Sequence, residues 1–300
     1  MNEALAKVVL SIRSNLLQIW LTSSFLKKLL HFKSKRDSVA LSCLFFLFCL
    51  CGQIKADELG FQDFLLAPVR VHLLSAKSSP RIQTTLTEND ITRILGKVNT
   101  VWSKAGLHFY LETLVAEEAN QPDINENSAM EGSPSGLLGL RPNMSLATNL
   151  FHIYYIKEMR MNGIYFPEGI FVKDTASLKK VAGGLDEPLP RVTSHELGHA
   201  FSLNHRQDTT NLMASGTTGT SLNSEEIQLA RATALKIDWL VRAPALLESA
   251  NKLFSADPMK ALPLYSILAR IPIGDQQVEL AKRRITEAQL GQPRQPANGE

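Results

Sequence analysis

Apolar and polar positions alternate over residues 62–74, with Val69, Val71 and Leu73 set against Arg70, His72 and Leu74, and a period of two predicts a β-strand. After a polar connection over 75–85 the period lengthens. Ile91, Ile94, Leu95, Val98, Val101 and Trp102 fall on one face of a helix. Thr87 is placed to cap that helix with Asp90 at its third position, Leu86 and Ile91 can close a hydrophobic staple, and Gly106 is the expected stop. A second strand is predicted over 107–115. Residues 116–149, rich in Asn, Ser, Gly and Pro, read as a long surface loop. Strands follow at 151–156 and, after the Asn162-Gly163 turn signal, at 169–173. A helix is expected to start near Pro190, because proline suits the first helical turn. Asn223, with Glu226 and the Leu222/Ile227 staple, caps another helix running towards Leu240. Residues 243–290 read as two or three short helices, one starting at Asp257-Pro258, and 291–300 as a polar tail.

Composition changes this picture mainly at the N-terminus. Residues 1–56 hold eight Lys/Arg against two Asp/Glu, whereas 57–300 hold 24 against 27, a net −3 for the body. Such a body carries no basic stripe, which argues against nucleic acid as the main partner. The basic run Lys33-Ser34-Lys35-Arg36 precedes an apolar stretch over 39–51, the pattern of an export signal too short to span a bilayer. Cleavage after Ala56 yields a secreted or periplasmic protein with no membrane span in its mature form. Lipidation at Cys49 or Cys51 is disfavoured, because bulky residues precede both. Residues 1–31 fit either an over-extended start or an amphipathic surface helix through Val8, Leu16, Trp20 and Leu30. Cys43, Cys49 and Cys51 are the only cysteines, so the body has neither a disulfide nor a thiol nucleophile.

The specific chemistry is concentrated in one helical segment. His195 and His199 are four residues apart, so on a helix both imidazoles leave the same face and can share one metal ion. Glu196 sits about 100° round the axis, within reach of a metal-bound water without being a ligand. His205 can join the pair only if the chain turns soon after Ser202. Three imidazoles around Zn2+ leave the fourth position to water, the layout of a catalytic site, with Glu196 as general base for hydrolysis. His72, His108 and His152 fall in predicted strands and read as sheet-packing or surface residues.

This stretch resembles the metzincin zinc peptidases and, within them, the matrixins, whose signature is H-E-x-x-H-x-x-G-x-x-H followed by a methionine in a tight turn. His195, Glu196, His199 and His205 match it, and Asp208, Leu212 and Met213 follow the last His at the spacing matrixins commonly show. The resemblance implies Met213 as the Met-turn residue and a peptide or protein as substrate. It also implies an α+β fold: a metzincin-like catalytic domain with a mixed twisted sheet, a backing helix and an active-site helix. The expected division is a leader over 1–56, a peptidase domain over 57–240, and a small helical appendix with its tail over 241–300. Three departures stand out. Ser202 replaces the glycine that ends the helix at positive φ, no Tyr follows Met213 in 214–222, and a cysteine switch is impossible. The pocket beside the metal is expected to be walled by 214–222 and part of 157–172, and no calcium-type Asp/Gly-rich loop occurs in 116–190.

A secreted or periplasmic zinc endopeptidase is the leading reading. One alternative is a non-catalytic zinc-containing binding protein that retains the fold and docks a partner through 243–290. Another is a metal-dependent hydrolase of non-peptide amides. The residues fix neither an oligomeric state nor a cleavage preference.

Overall fold

The register of one long strand sorts the molecule into layers. In the computed structural model, which describes residues 59–290, β1 (Leu65–Ser75) pairs in parallel with β2 (Leu107–Glu118) on one side and β3 (Phe151–Ile156) on the other. The leader expected over 1–56 and the tail over 291–300 lie outside the described residues. β4 (Gly163–Phe166) is antiparallel to β5 (Gly169–Lys173), itself parallel to β3, so the sheet is mixed with order β2-β1-β3-β5-β4. The two-residue β6 (Val241–Arg242) adds an antiparallel pair at the start of β1. Among the helices are α1 (Glu88–Trp102), α2 (Pro122–Met130), α3 (Pro134–Gly139), α4 (Pro188–Ala200), α5 (Ser224–Ala234), α6 (Ala243–Ala256), α7 (Pro258–Leu268) and α8 (Gln276–Leu290). The class is α+β, as expected.

Successive strand residues point to opposite faces, and the two faces have different covers. Leu65, Ala67, Val69, Val71 and Leu73 join Ile153, Tyr155 and the apolar faces of α1 and α4 in the main core. On the other face Leu66 packs with Ala243, Leu247, Tyr265 and Val278 from α6, α7 and α8. Leu74, Tyr154 and Phe171 pack there with Met130 and Leu137 from α2 and α3. Between these two patches lies a polar strip. In it His72 Nε2 meets His152 Nδ1 at 2.8 Å, and His72 Nδ1 meets Glu117 Oε1 at 2.5 Å. His72, His108 and His152 are all buried sheet residues, as their strand positions suggested. Asn99 of α1 guards the edge strand β2: its amide donates to Phe109 O at 2.8 Å and accepts the Phe109 N–H at 2.7 Å, standing in for a missing strand.

Caps set the helix boundaries. Thr87 Oγ1 accepts the Asp90 N–H while Asp90 accepts the Thr87 N–H at 2.9 Å, and Asn223 and Glu226 repeat this reciprocal pair at 2.9 Å each. Gly106 takes the left-handed conformation, φ 62°, after a short 3₁₀ turn. Asp257 caps α7 as expected.

Three expectations are corrected. Residues 116–149 are not a continuous loop: β2 extends to Glu118, and α2 and α3 follow, each with a proline in its first turn. Their apolar residues Ala129, Met130, Leu137 and Leu140 cover the outer sheet face, a gain invisible to local composition. β4 is a fifth strand that the alternation did not reveal, and α5 ends at Ala234 rather than near Leu240. Among the described residues, no helix is long and apolar enough to cross a membrane.

Candidate metal centre

α4 brings the chemistry to the sheet. Every residue from Leu189 to Gly198 is buried, which holds the helix rigidly between the core and the loop that follows it. His195 and His199 leave the same face with ring centroids 4.8 Å apart. The helix then ends in a Schellman turn, in which the Leu203 N–H donates to Gly198 O and the Ser202 N–H to His199 O, both at 3.0 Å. Ser202 occupies the residue that this motif places in the left-handed region, with φ 67°. The chain reverses there, and His205 returns to within 3.2 Å of His195 Nε2 and 3.1 Å of His199 Nε2. The early turn required by the sequence spacing is present, made by a serine where glycine is usual.

The protonation pattern shows what this cluster fits. His195 Nδ1 faces Leu212 O at 2.8 Å and His199 Nδ1 faces Leu203 O at 2.9 Å. A carbonyl only accepts, so both Nδ1 atoms carry hydrogen and both Nε2 atoms present lone pairs. Those lone pairs converge on His205 Nε2, which has one proton at most to give. At least one lone pair is therefore opposed by another unless a cation lies between them. Tetrahedral ligation at 2.0–2.1 Å puts ligand nitrogens about 3.3 Å apart, close to the observed contacts. Burial depresses the His195 imidazole to about 3 and also lowers that of His199, so both are neutral near pH 7, the form a metal ligand needs. The triad is compatible with a zinc site.

Glu196 lines the same cavity, which has a volume of about 690 Å³ and is walled by β4 residues Gly163–Tyr165 together with Leu178, Val192, Ser215 and Gly216. Burial pushes its carboxyl up to about 8, with the Arg191 charge acting in the opposite sense; a cation held by the triad would act in the same sense as Arg191 and favour the carboxylate that a general base needs. Gly163 is required here: a Cβ at that position would come within 2.6 Å of Glu196 Oε1 and 2.5 Å of Val192 Cγ1. Met213 is fully buried, and a Cβ on Gly198 would lie 2.5 Å from its sulfur, so it packs directly against the helical turn that carries the two histidines.

No family model matches the chain, and no curated protein matches it. Similar solved structures include metalloproteinase-II from Bacteroides fragilis, at 12% identity and TM-score 0.34 over 57% of this chain and 54% of that one. They also include a zinc-dependent peptidase from Methanocorpusculum labreanum, at 9% identity and TM-score 0.25 over 55% of this chain and 99% of that one. The chain thus spans about half the length of the Bacteroides fragilis structure.

The loop over 205–221 is held by residues that the motif did not flag. Glu226, from the capping box of α5, accepts from Arg206 Nε at 2.7 Å and from Asn211 Nδ2 at 2.8 Å. Desolvation raises its carboxyl, but bonds from Asn223, Asn211 and Arg206 outweigh that and hold it below the usual range. Arg191 donates to Gly219 O, Asn211 O and Ala214 O, clamping the loop from beneath. Its place four residues before His195 was the available signal, since that spacing puts both side chains on one helix face. Cavity walls from 157–172 and 214–222 were anticipated. Arg191, Val192 and Leu178 were not.

Proposed function

We propose that this chain is a zinc-dependent endopeptidase of metzincin type, matrixin-like, in which His195, His199 and His205 hold the metal and Glu196 acts as general base. The observation that carries the reading is the convergence of two carbonyl-fixed Nε2 lone pairs on a third imidazole, beside a buried carboxylate in one cavity. Zinc bound there would supply a Lewis acid and a water of lowered pKa. Glu196 takes one proton from the attacking water, whose oxygen adds to the scissile carbonyl, and returns it to the nitrogen as the C–N bond breaks. Met213 acts as the Met-turn residue, the floor on which the ligand-bearing turn rests. β4 is an edge strand that lines the cavity, and its backbone edge, unpaired among the described residues, suits an extended peptide laid alongside it. Domains 57–240 and 241–300 serve as catalytic unit and appendix, and the leader over 1–56 supports a secreted or periplasmic location. N-terminal sequencing of exported protein beginning near Asp57 would support that location, and retention of 1–31 would contradict it.

His199→Ala removes one of three ligands and is expected to strip zinc, while Glu196→Gln preserves shape, keeps zinc and loses about 10²–10⁴-fold in turnover. Zinc stoichiometry and peptide-cleavage rate, measured on both variants, test this assignment of roles. Wild-type cleavage by Glu196→Gln would refute it.

A further inference from the structure

Arg191 is a buried cation without an ion-pair partner among the described residues. It is 2% exposed, yet its charge is met by three backbone carbonyls and by the field of Glu196 alone. Charged side chains are almost never buried unless paired, so this arrangement calls for a second partner. Burial drags its guanidinium down to about 10, which still leaves it charged at neutral pH.

One of its donors is left over. A guanidinium offers five N–H bonds in a fixed fork. Nε and Nη2 are spent on Gly219 O, Asn211 O and Ala214 O. Nη1 makes no hydrogen bond among the described residues, and it is not one of the side-chain atoms sealed from solvent without a partner. Arg191 is a wall residue of the cavity that holds the histidine triad and Glu196. Apart from the three imidazoles, it is the only basic side chain in that wall among the described residues. Leu178, Val192, Ile164 and Tyr165 surround the space with apolar surface, which covers methylene groups and strengthens any charge contact made beneath them.

We propose that this cavity selects substrates with an Asp or Glu side chain next to the bond that is cut, and that Arg191 is the specificity residue that binds the carboxylate through Nη1. The inference deepens the peptidase reading and rests on it. Glu196 does not meet the need itself, because it makes neither a hydrogen bond nor an ion pair with Arg191 among the described residues. A lysine or arginine side chain in the same place would face Arg191 and the metal with like charge. A leucine would leave the guanidinium unpaired and newly cut off from water, which costs more than the apolar contact returns.

The test compares zinc-loaded full-length protein on peptide pairs differing only by Glu/Gln or Asp/Asn at each position flanking the scissile bond. Charge-assisted hydrogen bonds lead to an expected preference of at least about tenfold in kcat/KM for the acid at one of the two positions, weakening with added salt. Ratios near one at both positions, with peptides still cleaved, overturn the role of Arg191 and leave the peptidase reading standing. A second readout needs no turnover: calorimetry of the metal-free protein with product peptides carrying Glu or Gln. Tighter binding of the Glu peptide supports Arg191 even if no peptide is hydrolysed, an outcome that would sink the peptidase reading instead. Equal binding overturns the proposal.

Discussion

Ser202→Gly isolates the one residue of the turn that departs from the matrixin pattern. Ser202 sits at φ 67°, a region that costs a residue with a Cβ roughly 1–2 kcal/mol. Its hydroxyl makes no hydrogen bond among the described residues, and the residue is exposed, so nothing local offsets that strain. Glycine removes the strain but frees the unfolded chain, an entropic loss of about 0.4–1 kcal/mol. The difference is a gain of about 0.5–1 kcal/mol. For a domain of this size 1 kcal/mol moves Tm by about 2–4 °C, so Ser202→Gly should melt about 1–4 °C higher. Ser202→Ala keeps both the Cβ and the strain and should melt within about 1 °C of wild type, whereas Ser202→Val, β-branched at positive φ, should melt lower. The assay is a thermal melt of all three zinc-loaded variants with zinc content measured in parallel. A lower Tm for Ser202→Gly than for wild type would refute the strain argument and point to a side-chain contact at Ser202.

Two further predictions probe the supports of the site. Gly198→Ala drives a Cβ into the Met213 sulfur and should cost about 1–3 kcal/mol by overpacking, with weaker zinc retention in a competition against a chelator; unchanged stability and zinc affinity would show that Met213 does not brace the turn. His108 is buried, its Nδ1 has no hydrogen-bond partner among the described residues, and burial, with Arg270 adding to it, lowers its imidazole from the usual 6.5 to about 4. Its contribution is intact above pH 6.5 and lost as pH falls towards 4, because the unfolded chain takes up the proton first. At about 1.36 kcal/mol per pH unit this amounts to about 2 kcal/mol by pH 5, so His108→Leu should flatten the fall in denaturant stability between pH 7 and 5 by about that much. An unaltered slope would contradict the assignment.

What the sequence made legible was local. The reciprocal caps at Thr87/Asp90 and Asn223/Glu226 lie within four residues of one another, as does the His195/His199 pair, so spacing alone revealed them. The position of the Schellman turn could likewise be read from His205, since no straight helix delivers that ring to the other two. α2 and α3 were hidden because their stability comes from covering Leu74, Tyr154 and Phe171, partners far away in the chain. β4 was hidden because four residues, the first of them a glycine, carry too little alternation, and its pairing with β5 supplies the order. Arg191 was not singled out, since its spacing to His195 is the one local feature that marks it. Only the packing of the 211–219 loop over α4 turns it into a buried donor.

Metal content and chelator-dependent cleavage, measured together on one preparation, test the central claim most directly. The purified protein should carry one zinc per chain, cleave a peptide library, lose cleavage when zinc is chelated, and regain it in proportion to zinc restored. Cleavage that persists without zinc, or full zinc occupancy with no peptide cut, would contradict the account.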